Sequence, residues 1–306
     1  MLESYDALLV VGFGGPEARE DVIPFLENVT RGRNIPRERL LEVAEHYYHF
    51  GGVSPINAQV RELIAALEQE LPQRGINLPI YWGNRNWHPM LADTLREMRD
   101  AGVKRAVAFA TSAFGSYSGC RQYAENIERA RAAVEGAPEI VKAPPFGAHP
   151  LFIEAMRDRV REAREKLPNG QLIFTAHSVP QSMAQTSPYV RQLEEACAAV
   201  AGGDSWKLVY QSRSGPPTQP WLEPDVLDYL REHREPAILI PIGFLSDHME
   251  VLYDLDTEAR ALCDELGIQM VRAGTAGTHP KMVQLIAELA QREHTPCAAT
   301  CCPTCY

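Results

Sequence analysis

The chain has 306 residues, enough for about two domains of roughly 150 residues each. With 45% hydrophobic and 23% charged residues it has a globular composition, which excludes a disordered or fibrous chain. A formal charge of −10, from 30 basic and 40 acidic residues, argues against nucleic acid or an anionic membrane as the main partner.

The opening residues from Met1 to Asp6 are acidic and lead into only a short apolar stretch, so no signal peptide is expected. No apolar run approaches the ~18 residues of a membrane span, so no transmembrane segment is expected and the cytoplasm is the expected compartment. A first strand over 7–11 runs into the turn Gly12-Phe-Gly-Gly-Pro16. That turn lacks the spacing of a dinucleotide loop, and Pro16 stands where a helix would offer its amides. Arg31 and Arg33 make a small basic spot, either a solvated turn or a seat for a ligand carboxylate or phosphate. Val60, Ile64, Leu67 and Leu71 share one helical face, and the pattern stops near Pro72 and Gly75. Further strands are expected over 79–83, 105–111, 171–175, 207–211 and 236–241, with helices between them. Such alternation predicts an α/β protein with parallel sheets.

The two halves resemble each other. Each opens on a strand running into a proline-marked turn, Gly12 to Pro16 in the first and Ala176-His-Ser-Val-Pro180 in the second. Each then has an aromatic-containing strand, a proline-marked loop, a charged helix and a second buried strand ending in a small-residue loop. A duplicated doubly wound fold follows, divided near 145–150. Ligands of open parallel sheets bind beyond the carboxyl ends of the strands, so a cleft between these loops is expected.

His177 falls just past a buried strand, where a neutral imidazole can serve as base or metal ligand, or simply as a hydrogen-bonded structural residue. Glu250, Asp254 and Glu258 fall at i, i+4 and i+8 of the helix that starts near 249. Like charges at that spacing cost about 0.2–0.5 kcal/mol per pair. The stripe is either a solvated acidic face or a carboxylate ladder that loads a divalent cation or carries protons away. Val251, Leu252 and Tyr253 beside it suggest partial burial, which favours the ladder. His88 stands at a strand end of the other half. Seven cysteines include Cys297, Cys301, Cys302 and Cys305 in the last ten residues. An odd count does not describe a disulfide framework, and such density reads as soft-metal ligands.

These residues carry a close resemblance to the ferrochelatase family. The matching stretches are Gly12 to Pro16, Phe50 to Pro55, Thr111 to Tyr123, Ala176 to Pro180, Gln211 to Asp225 and, most specific, Pro241-Ile-Gly-Phe-Leu-Ser-Asp-His-Met-Glu-Val-Leu-Tyr-Asp254. They occur in family order from residue 5 to about 290. The resemblance implies two Rossmann-like domains with parallel four-stranded sheets facing across a porphyrin cleft. It divides the chain into domains over 1–147 and 148–275, a helix over 276–295 packing back on the first, and a cysteine-rich tail over 296–306. It also implies an enzyme inserting Fe²⁺ into a porphyrin, with His177 and Glu250 catalytic and metal-binding and with Asp254 and Glu258 as the acidic ladder. Metal insertion must remove two pyrrole protons while delivering a dication, which suits an imidazole opposed by carboxylates.

The resemblance is to the coproporphyrin III branch, particularly its actinobacterial members, with protoporphyrin IX and a turnover-free porphyrin carrier as alternatives. Phe13, Arg31, Tyr47, Ser54, His88, Ser116 and Tyr123 are implied porphyrin contacts. Phe13 stands where some members have an iron-ligating tyrosine, and His46 and Thr30 replace arginines. Some members carry a [2Fe–2S] cluster, which implies Cys120, Cys297, Cys301 or Cys302, and Cys305 as its ligands; a zinc knot is the alternative for the tail. Cys197 and Cys263, on helical patterns, are expected to be packing residues. A monomer is expected.

Overall fold

The computed structural model describes residues 5–32, 35–215, 218–295, 297–298 and 301–303. The chain forms two compact units. Met1–Thr111, Tyr123–Ala143 and Ile286–Pro296 make the first; Ser112–Gln122, Pro144–Leu285 and Cys297–Tyr306 make the second.

The first unit holds β1 (Ala7–Gly12), β2 (Ile80–Asn84), β3 (Arg105–Ala110) and β4 (Glu139–Lys142) in the order β2-β1-β3-β4. The second holds β5 (Gln171–His177), β6 (Trp206–Gln211), β7 (Ala237–Ile240) and β8 (Met270–Arg272) in the order β6-β5-β7-β8. All pairings are parallel, and the second order is the first advanced by four strands. The duplication expected from the sequence is therefore present in the topology.

Every residue of β1 is buried, as a parallel strand covered on both faces requires. Its Ala7, Leu9 and Val11 join Ala106, Ala108 and Ala110 of β3 under helices Leu91–Asp100 and Gln122–Ala132. In the second unit Ile173, Val209 and Leu239 form the equivalent face. It is covered by helix Val226–Glu232 and by Val251, Leu255, Ala259 and Cys263 of the segment after β7. Cys197 and Cys263 are fully buried, and burial pushes both thiols up, which removes them from thiolate chemistry.

Helix Ile56–Gln73 departs from expectation at one position: Leu63, not Ile64, joins Val60, Leu67 and Leu71 on the buried face. The two residues are neighbours at the edge of the apolar stripe, where 3.6-residue periodicity does not choose between them. The helix ends on Gly75 at φ 71°, with the Ile76 amide bonded to the Leu71 carbonyl.

Candidate active site

Strand β5 runs two residues beyond the expected 171–175, so His177 is its last strand residue, paired in register with Gln211 of β6. The loop after β7 leads into a short helix Met249–Val251, a π-helical stretch Leu252–Ala259 and a helix Arg260–Leu266. π-Helical turns are rare and concentrate at functional sites. Thr257 Oγ1 donates to the Leu252 carbonyl five residues back, across the widened turn. The buried stripe Val251, Leu255, Ala259 and Cys263 lies one residue behind Glu250, Asp254 and Glu258 throughout. The acidic stripe thereby runs along the edge of the core, with Asp254 half-buried and Glu250 and Glu258 exposed.

His177 and Glu250 face each other, with Nε2 3.6 Å from Oε1. Nδ1 of His177 donates to the Ser178 carbonyl, and Tyr189 Oη donates to the His177 carbonyl at 3.0 Å. Burial alone would lower the His177 pKa, but the charge and hydrogen bonding of Glu250 outweigh it and push the pKa up to about 9. The same pairing, against the opposing effect of burial, holds the Glu250 carboxyl well below its ordinary range. Paired with Glu250, His177 thus holds a proton more tightly than an ordinary imidazole does.

Asp254 lies behind this pair. Burial and the charges of Glu250 and Glu258 push its pKa up to about 7, against donors from Ser212 and Gln211. Ser212 Oγ and Gln211 Nε2 both donate to Asp254 Oδ2, the latter at 3.2 Å, and Gln211 Nε2 also reaches the Glu250 carbonyl at 3.1 Å. Ser212 adopts φ 61°, a strained region for a non-glycine residue. Glu258 is raised by burial and then by Asp225. Asp225 lines a cavity of about 460 Å³ with Ser178, Tyr210, Arg213 and Asp228. The three carboxylates thus differ in proton affinity along the stripe, with only Glu250 strongly acidic.

The sequence alone assigned no role to Gln211, Ser212 or His248. His248 caps the helix start by accepting from the Glu250 amide at 3.2 Å, and burial lowers its pKa. Gln211 is the last residue of β6 and Ser212 follows it, as His177 is the last of β5; strand-end position marks the place but not the partners, Asp254 and the Glu250 carbonyl.

The porphyrin contacts implied by resemblance fall into three groups. Arg31 and His88 line one cavity of about 590 Å³ in the first unit, together with Glu27, Asn28, Trp87 and Met90. Phe13 and Tyr47 both set their rings edge-on to the buried Phe25, at 6.3 and 5.9 Å between centroids. Ser54, Ser116 and Tyr123 are buried. Ser116 Oγ caps a helical turn by accepting from the Gly119 amide, and Tyr123 lies in the core with the Arg85 guanidinium over its ring. The His88 carbonyl is gripped by Asn57 and Asn84, and Asn84 also accepts from Trp82 Nε1 at 2.9 Å. A side chain at Gly12 would meet Asn84 Oδ1, which explains the glycine there. The carbonyls of Gly12 and Phe13 accept from the Arg85 and Asn86 amides, so this turn is spent on internal bonds.

Cys120 is buried in a second π-helical stretch, Tyr117–Arg121, within the same compact unit as the tail. The buried Cys302 thiol is pushed up to about 12 by burial and by Cys301, Cys120 and Cys297, and its Sγ lies 3.7 Å from that of Cys301. Among the described residues no group of three or more His, Cys, Asp or Glu is disposed to hold a metal ion. Cys305 and Arg33 lie outside the described residues. No helix of the described residues is long and apolar enough to cross a membrane.

Solved structures share this two-sheet architecture. The sirohydrochlorin chelatase SirB from Bacillus subtilis, in complex with cobalt, superposes with TM-score 0.56 at 13% identity, over 93% of either chain. CbiX, the terminal enzyme of siroheme biosynthesis in denitrifying bacteria, gives 0.52 at 18% identity, over 92% of this chain and 97% of that one. At such identities the likeness defines the fold alone, that of the chelatases. The sequence defines more: the ferrochelatase family profile matches residues 5–294, and the chain belongs to that family. It is 57% identical over 303 residues to the ferrochelatase of Rhodopirellula baltica, covering 95% of this chain and 86% of that protein. It is 50% identical over 339 residues to the coproporphyrin III ferrochelatase of Nocardia farcinica, covering 97% and 96%, and 52% identical over 302 residues to that of Mycolicibacterium smegmatis, covering 94% and 89%.

Proposed function

We propose that this ferrochelatase-family enzyme inserts Fe²⁺ into coproporphyrin III, with His177 and Glu250 at the reacting centre. The observation that carries the reading is the His177–Glu250 pair at a strand end, backed by Asp254 and Glu258 in graded proton affinity. Insertion releases two pyrrole protons and takes up one dication, so the net charge of the tetrapyrrole core is unchanged. In the resting pair a proton occupies the position a metal needs. Fe²⁺ arriving beside Glu250 neutralises the carboxylate that holds His177 protonated, and the imidazolium then loses its proton. That proton passes to Asp254, and the freed imidazole accepts the two pyrrole protons in turn, handing on the first before it takes the second. Asp254, poised near neutrality, passes protons outward to Glu258. Arg31 beside His88 offers one cation for a porphyrin carboxylate, with Phe13 and Tyr47 supplying apolar ring surface.

The relatives named as coproporphyrin III enzymes support the four-propionate substrate. The Rhodopirellula baltica relative is named simply as a ferrochelatase, which keeps protoporphyrin IX as the second reading. We further propose that Cys120, Cys297, one of Cys301 and Cys302, and Cys305 hold a [2Fe–2S] cluster. The Cys301 and Cys302 sulfurs 3.7 Å apart and the tail's tie to the π-helical stretch, from Arg121 to the Ala298 carbonyl at 3.5 Å, support it. Four thiolates suit such a cluster, which would serve as a structural or sensing element apart from insertion.

Anaerobic purification, a visible spectrum and an Fe²⁺ insertion assay with each porphyrin test these readings together. Faster turnover of coproporphyrin III is expected, with loss of turnover but retained porphyrin binding in His177→Ala and Glu250→Gln. Near-normal turnover in either variant overturns the roles. Porphyrin binding without any insertion by the wild type would make the protein a carrier. Cluster absorption surviving in both Cys120→Ala and Cys305→Ala removes that ligand set.

A further inference from the structure

Arg272, the last residue of β8, belongs to none of the motifs that carry the family resemblance. Its side chain is 15% exposed, and its guanidinium spans two carboxylates: Nη1 to Asp247 Oδ1 at 2.9 Å and Nε to Asp256 Oδ1 at 2.7 Å. Nη1 also reaches the Ala273 carbonyl at 3.3 Å. Asp247 lies in the loop three residues before Glu250, whereas Asp256 lies inside the π-helical stretch, between Asp254 and Glu258. One largely buried fork therefore grips the acidic segment before Glu250 and after Asp254, two residues short of Glu258, and ties it to the sheet through Leu239 of β7.

We propose that Arg272 is a positioning residue that fixes the π-helical register of residues 252–259 and so holds Asp254 and Glu258 in line with Glu250. The proposal rests on the iron-insertion reading above for its functional consequence, though not for its structural one. The physical argument is one of register. A π turn closes i→i+5 bonds and is intrinsically less favourable than an α turn, so it persists where outside contacts select it. Relaxing it to i→i+4 bonding takes one residue out of the turn. Everything beyond would then rotate by about 100° relative to Met249–Val251. Asp256 could not keep its bond to Arg272 through that rotation while Asp247 kept its own. The two-armed bond is thus compatible with the π register and incompatible with the α one. Lysine can replace it only in part, because an ammonium group is a point charge where the two carboxylates need a planar fork.

The test uses the full-length protein and four variants, Arg272→Ala, Arg272→Lys, Asp256→Asn and the double Arg272→Ala/Asp256→Asn, with amide hydrogen exchange over 252–259, porphyrin titration and steady-state Fe²⁺ insertion. Arg272→Ala is expected to speed exchange in that segment by about ten-fold and to lower kcat by about ten-fold, with porphyrin affinity within about two-fold of wild type. Arg272→Lys should recover part of kcat. Asp256→Asn should reproduce the exchange change, and the double variant should be little worse than Arg272→Ala alone, since both remove one interaction. Wild-type exchange over 252–259 in either folded single variant overturns the proposal, as does wild-type kcat in both. If Arg272→Ala does not fold, the Asp256→Asn result decides. A wild-type protein that inserts no iron would sink the function reading instead, and the exchange comparison would still judge Arg272.

Discussion

Asp254 carries the sharpest conflict of forces at any single residue of the site. Burial and two neighbouring carboxylates push its proton affinity up to about 7, while Ser212 and Gln211 hydrogen-bond its charged form and pull it down. Ser212 serves as donor from φ 61°, a conformation that costs on the order of 1–3 kcal/mol for a non-glycine residue. Because the folded pKa lies above the unfolded value, the native state resists ionising this group. Stability at this residue is therefore greatest below the ordinary aspartate range, falls as pH rises toward 7, and is then flat. Asp254→Asn keeps an acceptor for both donors and removes the charge. It should stabilise the protein by about 1–3 kcal/mol at pH 8, since each tenfold change in proton affinity is worth about 1.4 kcal/mol and solvent screens part of it. At pH 4 the gain should vanish. Thermal melts at the two pH values check this; equal gains at both would mean Asp254 is not held near neutrality. Turnover should fall in the same variant, since an amide cannot relay a proton.

At the scale of the element, the π-helical stretch is held by its buried side as well as by Arg272. Leu255 is fully buried among Ile173, Val209 and Leu239, whereas Leu252 is only half-buried. Leu255→Ala should cost about 2–5 kcal/mol in a urea melt, and Leu252→Ala well under half of that. Equal costs would place the stretch in a different register. This stretch also marks where the sequence ceases to be legible. The central strands of each sheet could be read because they are apolar runs bounded by turns. The strands β4 and β8, at one edge of each sheet, could not, because Glu139-Ile-Val-Lys142 and Met270-Val-Arg272 each hold only two consecutive apolar residues, whereas the equally short β7 is apolar throughout. The i, i+4, i+8 spacing identified the ladder, but that spacing makes a stripe in either period, winding one way about an α-helix and the other way about a π-helix, so the sequence does not show which register places Asp254 and Glu258. His177 and Glu250 could be found from strand-end position and motif. Gln211, Ser212 and Arg272 could not, because their partners lie 16 to 43 residues away in the chain and only the fold brings them together. The implied contacts at Ser54, Ser116 and Tyr123 came from resemblance alone, and burial now gives each of them a structural occupation.

For the whole molecule, duplication supplies two equivalent sheets but the chemistry is unequally shared. The second carries the histidine and the carboxylates; the first carries the cavity with Arg31 and His88. A net charge of −10 surrounds both, and its sign matters differently for the two substrates. A dication is drawn toward an acidic surface from beyond contact distance, and salt weakens that attraction because the screening length shrinks to about 8 Å at physiological ionic strength. If Glu258 is where iron enters the ladder, the KM for Fe²⁺ should rise several-fold, about three to ten, between low and physiological salt. The Glu258→Gln variant should raise KM at low salt and flatten the dependence, because the local charge that focuses the field is gone. The kcat should change little with salt, since His177, Glu250 and Asp254 are close neighbours and short-range pairs are screened weakly. Insertion rates measured across a salt series for the two proteins separate the possibilities. A KM for Fe²⁺ indifferent to salt in the wild type would mean that iron reaches His177 by a route other than the acidic stripe.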